Sequence, residues 1–282
     1  MGVVNLNALK KITWHILIFL SPTCFLACGT SSRFTSPDEV IAGSGNVVIP
    51  KTNTREETDL RRRARLRLEL GTSYFQQKQY AIALEELKQA IEIDSGYPDT
   101  YAVLGLLYME LGDRRQAEDV FRRGLNADNN HSDLNLNYGW FLCQSGREKE
   151  SISRFMAVAR NPLYSAPVKP LQNAGICALR MGDKKLGEQF LLAAYDTDPN
   201  SAVVLYNLAN LNLAKPDLTK ARFYINRLHS IYDPSAQTLW LNLKIERAAG
   251  GQDKVDDLSK QLRQKFANSA ETAALERGAY ND

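Results

Sequence analysis

"LGTSYFQQKQYAIALEELKQA", residues 70–90, and "LGLLYMELGDRRQAEDVFRRG", residues 104–124, repeat one pattern 34 positions apart. Leu70-Gly71, Tyr74, Ala83, Leu87 and Ala90 of the first stretch return as Leu104-Gly105, Tyr108, Ala117, Phe121 and Gly124, with Tyr101 just ahead. A further 34 residues bring Tyr138-Gly139 and Phe155. A step of 36 then leads to Ala174-Gly175, Leu191, Ala194 and Asp198-Pro199, and a step of 34 to Leu208-Ala209, Ala221, Ile225 and Asp233-Pro234. A degraded sixth unit near Trp240 and Leu243 follows at a step of 35. Gly71, Gly105 and Ala83 mark places where two helices touch, because a larger side chain there would push them apart.

This period is the tetratricopeptide pattern, a helix–turn–helix of about 34 residues. A single unit cannot bury its apolar face, so neighbours must stack into one continuous core. The sequence therefore predicts an all-α fold, a right-handed superhelix of about six tetratricopeptide (TPR) repeats starting near residues 64, 98, 132, 168, 202 and 237. About twelve helices are expected, with little or no strand. Residues 270–278 would cap the stack as a short helix, and the repeat domain would span 59–282.

Upstream, Lys10 and Lys11 precede a 16-residue run, Ile12 to Ala27, broken by His15, Ser21 and Pro22. That is shorter than the roughly 18–20 apolar residues of a spanning helix and has the layout of a secretory signal; an uncleaved anchor is the alternative. Phe25-Leu26-Ala27-Cys28-Gly29 resembles a bacterial lipobox, with Phe25 where leucine is usual. The resemblance implies a lipoprotein signal peptide over residues 1–27 and a lipid on the sulfur of Cys28. Gly29, in place of an aspartate that retains lipoproteins at the inner membrane, implies the periplasmic face of the outer membrane. Residues 28–58 are rich in Ser, Thr, Gly and Pro and are expected to form a flexible tether from lipidated Cys28.

Loss of residues 1–27 removes two lysines and no acid, taking the net charge from +3 to +1. So small a charge leaves no electrostatic footprint for nucleic acid. "RRRARLR" at 61–67 reads as the solvated face of a first helix, offset by Glu56, Glu57 and Asp59.

Nothing in the chain suggests catalysis, and no enzyme activity is expected. His131 and His229 lie in different repeats, and no HExxH, GxSxG, Walker or GxGxxG pattern occurs. No metal site, cofactor or small-molecule substrate is expected. Cys143 and Cys177 lack zinc-ligand spacing, yet they occupy nearly equivalent places in first helices one repeat apart. In an oxidising compartment such a pair forms a disulfide if geometry allows, and otherwise two buried thiols pack as small hydrophobes.

Binding remains, and stacked repeats bind along the concave face lined by their first helices. Helical spacing places Leu68, Thr72 and Phe75 on one side of the first repeat, Ala102, Leu106 and Met109 on the second, and Leu136, Trp140 and Cys143 on the third. Trp140 is the expected partner anchor, since an indole in a groove is a common hot spot. Asn137, Asn173, Asn207 and Asn242 recur at one repeat position; they could bind an extended peptide backbone or satisfy backbone groups between repeats. None of the groove positions of repeats one to three is Lys or Arg, so a clamp for a C-terminal carboxylate is not expected there.

Three segments, "NYGWFLCQSGREKES" (137–151), "NPLYSAPVKPLQNAGICALRMGD" (161–183) and "LWLNLKIERAAGGQD" (239–253), resemble the PilF/PilW family of type IV pilus lipoproteins. The "NPLY" turn accounts for the two extra residues in the step of 36. The resemblance implies a pilotin or assembly factor, which brings the pilus secretin subunit to the outer membrane and promotes its multimerisation, or stabilises the fibre. Its partners would be the secretin subunit, other pilus assembly proteins, and the membrane through the lipid anchor. The alternative is a general cell-envelope adaptor that recruits peptidoglycan or outer-membrane assembly factors.

Overall fold

The structure, a computed structural model, describes residues 57–280. The signal segment 1–27, Cys28 and the tether as far as residue 56 lie outside the described residues. Thirteen helices and no strand occur among the described residues. Twelve form six antiparallel pairs: α1 (Asp59–Gln76) with α2 (Tyr80–Ile93), α3 (Pro98–Glu110) with α4 (Arg114–Ala127), and α5 (Ser132–Gln144) with α6 (Glu148–Ala159). They continue as α7 (Val168–Arg180) with α8 (Lys184–Thr197), α9 (Ala202–Ala214) with α10 (Leu218–Ile231), and α11 (Ala236–Ala248) with α12 (Gln252–Lys265). The thirteenth, α13 (Ala270–Arg277), caps the last pair.

Each of the first four pairs closes over a glycine. A Cβ at Gly105 would stand 2.2 Å from the Phe121 ring; at Gly71 it would meet Leu87 at 2.8 Å, at Gly139 Phe155 at 2.7 Å, and at Gly175 Leu191 at 2.8 Å. Phe121, Phe155, Leu87 and Leu191 are fully buried as a result. Every first helix also packs on the next first helix, whereas second helices pack mainly on the first helices before and after them. The first helices therefore share one face.

The turn inside a repeat needs a residue in the left-handed region, and glycine supplies it at Gly112, Gly146, Gly182 and Gly250, with φ of 75°, 74°, 86° and 74°. Gly182 and Gly250 are two 34-residue repeats apart, and α9 and α11 start at Ala202 and Ala236. The sixth repeat thus follows the fifth by 34 residues, which corrects the step of 35 read from Leu243. The step of 36 falls between Ser132 and Val168, where α6 is short and residues 160–167 form a longer link. There the Asn161 side chain donates to Ser132 Oγ and accepts from the Leu163 N–H, leaving Leu163 90 % exposed.

The first helix begins five residues ahead of residue 64. Thr58 caps it by accepting from the Arg61 N–H, and Arg65 reaches back to Glu57. The basic run is held in ion pairs: Arg61 with Asp94, Arg65 with Glu57 and Glu69, Arg67 with Glu86. At the other end Ser269 caps α13 and Gly278 ends it at φ 67°. Tyr280 then stacks on Trp240 with ring centroids 5.4 Å apart. None of the described helices is long and apolar enough to cross a membrane.

Candidate functional site

The shared face of the first helices is read by counting from each helix start, or from residue 64 in the longer α1. Leu68, Thr72 and Phe75 on α1 align with Ala102, Leu106 and Met109 on α3 and with Leu136, Trp140 and Cys143 on α5. The stripe continues through Gln172, Ile176 and Leu179 on α7 and Tyr206, Asn210 and Leu213 on α9, and ends at Trp240, Lys244 and Arg247 on α11. A step of 35 would have put Leu241, Ile245 and Ala248 at this last place. Lys244 and Arg247 lie beyond repeats one to three, the stretch over which helical spacing assigned the stripe, and the spacing of the turn glycines was the signal that could have placed them.

Much of the stripe is covered by neighbouring helices. Leu68, Ala102, Leu136 and Cys143 are buried, and so is Thr72, whose hydroxyl has no hydrogen-bond partner. Phe75, Leu106 and Met109 stay half-buried and present apolar surface. Trp140 is 8 % exposed, packed with Leu136, Cys143, Phe155, Val158, Ala174, Ile176 and Cys177. Its indole is chiefly core, contrary to the expectation of an open anchor, because α7 closes over it.

Cys143 of α5 and Cys177 of α7 are joined in the structure, their Cα atoms 5.8 Å apart, within the roughly 4.4–6.8 Å span of ordinary disulfides. Ser151 Oγ lies 3.4 Å from the Cys177 sulfur.

The four asparagines do not form one row. Asn137, Asn173 and Asn207 are each the sixth residue of their helix, but Asn242 is the seventh of α11, about 100° further round. Asn137 donates to the Ala102 carbonyl of the preceding first helix at 3.5 Å. Asn207 instead donates to Val203 within its own helix at 2.8 Å, while the buried oxygens of Asn173 and Asn242 have no partner.

Two of the cavities on the stack are lined by charged side chains of the described residues. One, of about 500 Å³, is lined by Asp99, Asp128, His131, Asp133, Tyr164 and Lys169 among others. His131 bridges two repeats there: its Nδ1 accepts from the Leu134 N–H, and its Nε2 lies 2.9 Å from Asp99. Burial disfavours the imidazolium, but the carboxylates of Asp99, Asp133 and Asp128, Asp99 foremost, together outweigh it and raise the His131 pKa. Burial also raises the Asp133 pKa.

The other cavity, of about 610 Å³, lies between the C-terminal halves of α9 and α11 and is lined by Asn210, Leu213, Ala214, Lys244, Arg247, Ala248 and Tyr280. The Arg247 guanidinium sits 3.7 Å over the Tyr280 ring, and the Lys244 ammonium 6.0 Å from the Trp240 ring centroid. Burial lowers the Lys244 pKa. Among the described residues no group of three or more His, Cys, Asp or Glu could hold a metal ion.

Comparison with known proteins agrees with this geometry. Residues 71–112 match the profile described as "TPR repeat", and residues 98–131 the one described as "Tetratricopeptide repeat". The chain is 22 % identical over 204 residues to the type IV pilus assembly protein PilF of Pseudomonas aeruginosa, covering 72 % of this chain and 81 % of that one. The crystal structure of PilW, described as a widely conserved type IV pilus biogenesis factor, superposes with a TM-score of 0.71 at 26 % identity, over 75 % of this chain and 97 % of PilW. The Pseudomonas aeruginosa PilF structure superposes with a TM-score of 0.69 at 21 % identity, over 78 % of this chain and all of the chain in that structure. The chain is a tetratricopeptide-repeat protein that resembles PilF and PilW.

Proposed function

We propose that this chain is a non-catalytic scaffold of type IV pilus biogenesis. It is held by a lipid on Cys28 to the periplasmic face of the outer membrane, where it promotes localisation and multimerisation of the secretin subunit. The observation that carries the reading is the match to PilW, which spans 97 % of that protein at a TM-score of 0.71. The accessible apolar surface at Phe75, Leu106 and Met109 suits one extended apolar segment of a partner. Ordering such a segment offsets part of the contact energy, which keeps the affinity modest.

The test is a deletion strain whose unheated membrane fractions are run on a denaturing gel and probed for the secretin. Loss of the ring-sized multimer, with monomer stranded in the inner membrane, is the expected result. Normal multimer without surface pili would move the role to fibre stability. Normal pili would refute the pilus reading and favour a general envelope adaptor.

A further inference from the structure

The two ends of the stack are finished differently. After the last pair, α13 begins 34 residues beyond the start of α11 and packs on α11 and α12, where a next first helix would stand. Ahead of the first pair, no described helix does the same for α1.

Leu66 and Leu70 mark the uncovered face. They lie one turn apart on α1 and are 55 % and 40 % exposed. In repeats two to five the same two positions are buried, as Leu134 and Tyr138 in the third repeat and Val204 and Leu208 in the fifth. What buries them is the preceding repeat. A Cβ at Gly124 of α4 would stand 2.7 Å from the Leu134 side chain, and the Tyr138 ring centroid lies 5.7 Å from that of Phe121. In α1 these two positions hold leucines with no preceding repeat to seal them.

The chain carries a segment that fits. Val47-Val48-Ile49-Pro50 is apolar, and the polar run "KTNTRE" (51–56) separates it from Glu57. Seven residues, from Pro50 to Glu57, reach at most about 23 Å. Leu66 and Leu70 lie about 10–17 Å along α1 from its start at Asp59, so the run can double back over both. Pro50 pushes Ile49 into an extended conformation, which its β-branched neighbours also favour. Alternate side chains of an extended run share one side and stand about 6.6 Å apart. Leu66 and Leu70 are separated by about 6 Å along the helix. Val47 and Ile49 match that spacing, and Val48 between them turns outward.

We infer that residues 47–50 strap the outer face of α1, Ile49 packing on Leu66 and Val47 on Leu70. The strap seals the first repeat as α13 seals the last, and it leaves residues 28–46 as the reach from Cys28. This contact is separate from the surface at Phe75, Leu106 and Met109 and does not rest on the pilus reading.

The experiment uses the purified chain from residue 28 onward with Cys28→Ser, so that no native thiol lies near the strap. Two paired variants are compared under mild oxidation, Ile49→Cys/Leu66→Cys and Val48→Cys/Leu66→Cys. The first is expected to close a disulfide within the chain at least ten-fold faster than the second, read by mass after alkylation. Without added cysteines, Val47→Ser/Ile49→Ser should lower the thermal midpoint by about 2–4 °C, and Val48→Ser should leave it unchanged. Equal closure rates for the two pairs, or a midpoint unmoved by Val47→Ser/Ile49→Ser, would overturn the assignment. A disulfide that joins two chains faster than it closes within one would give the face to a second copy and also overturn it.

Discussion

Arg222 of α10 grips Glu246 of α11 through two hydrogen bonds, of 3.0 and 2.5 Å, although the Glu246 side chain is only 2 % exposed. The pair joins the second helix of repeat five to the first helix of repeat six. Burial alone would raise the Glu246 pKa, but Arg222, with Lys254 behind it, lowers it below the ordinary value. A carboxylate so depressed contributes stability above its unfolded pKa and loses it as pH falls through the folded one. Glu246→Gln should cost about 1–3 kcal/mol at neutral pH. The deficit should shrink in strong acid, where the parent carboxyl is protonated too. Urea midpoints of both proteins at the two pH values check this.

His229 behaves with the same sign for a different reason. Burial lowers its pKa to about 4, and its Nε2 is buried without a partner. Between that value and its unfolded value of about 6.5 the unfolded chain binds more protons, so stability falls as pH drops through this window. His229→Leu should flatten that part of the stability–pH curve, measured by thermal midpoint.

Two glycines seven residues apart, Gly105 and Gly112, are needed for unlike reasons. Gly105→Ala drives a methyl into the Phe121 ring and should cost about 1–3 kcal/mol through overpacking. Gly112→Ala meets no atom within 4 Å but must hold φ near 75°, a backbone penalty of about 1 kcal/mol. Added Phe121→Leu should recover part of the loss in Gly105→Ala and none of the loss in Gly112→Ala, as read by thermal midpoint.

A bond between Cys143 and Cys177 closes a loop of 34 residues, for which the chain-entropy account gives about 4 kcal/mol at most. Cys143→Ala/Cys177→Ala, or the parent under reductant, should melt lower by a similar margin. Alkylation of both thiols in a non-reduced digest would show that the bond is absent.

Trp140→Ala should cost about 3–5 kcal/mol in stability, since the indole is packed in the core. It is therefore a poor probe of binding. Leu106→Glu and Met109→Glu, which alter half-exposed positions, should abolish capture of a secretin segment in a pull-down while helical content stays unchanged.

The fold was legible because its signal is a size constraint repeated in register: Gly71, Gly105, Gly139 and Gly175 each have one large partner. The sixth repeat slipped by a residue because "LWLNL" places leucines at 239, 241 and 243, so two phasings bury similar apolar area. That slip put Asn242 in a row it does not join, while the cationic end of the stripe lay past the three repeats over which helical spacing assigned it. Trp140 was misjudged because residue type on a first helix does not reveal how far the next first helix overlaps it. Glu246 gave no sign, since its partner Arg222 lies 24 residues away on another helix.

The contact between successive first helices has a mechanical consequence. Five joints in series, each abutting along one edge and looser along the other, act as a spring that bends more readily than it shears. A load between the ends is shared as small rotations at the joints, while a bond between Cys143 and Cys177 would clamp the middle joint. The two halves would then flex about a rigid waist, and their spacing would vary under tension without any helix melting.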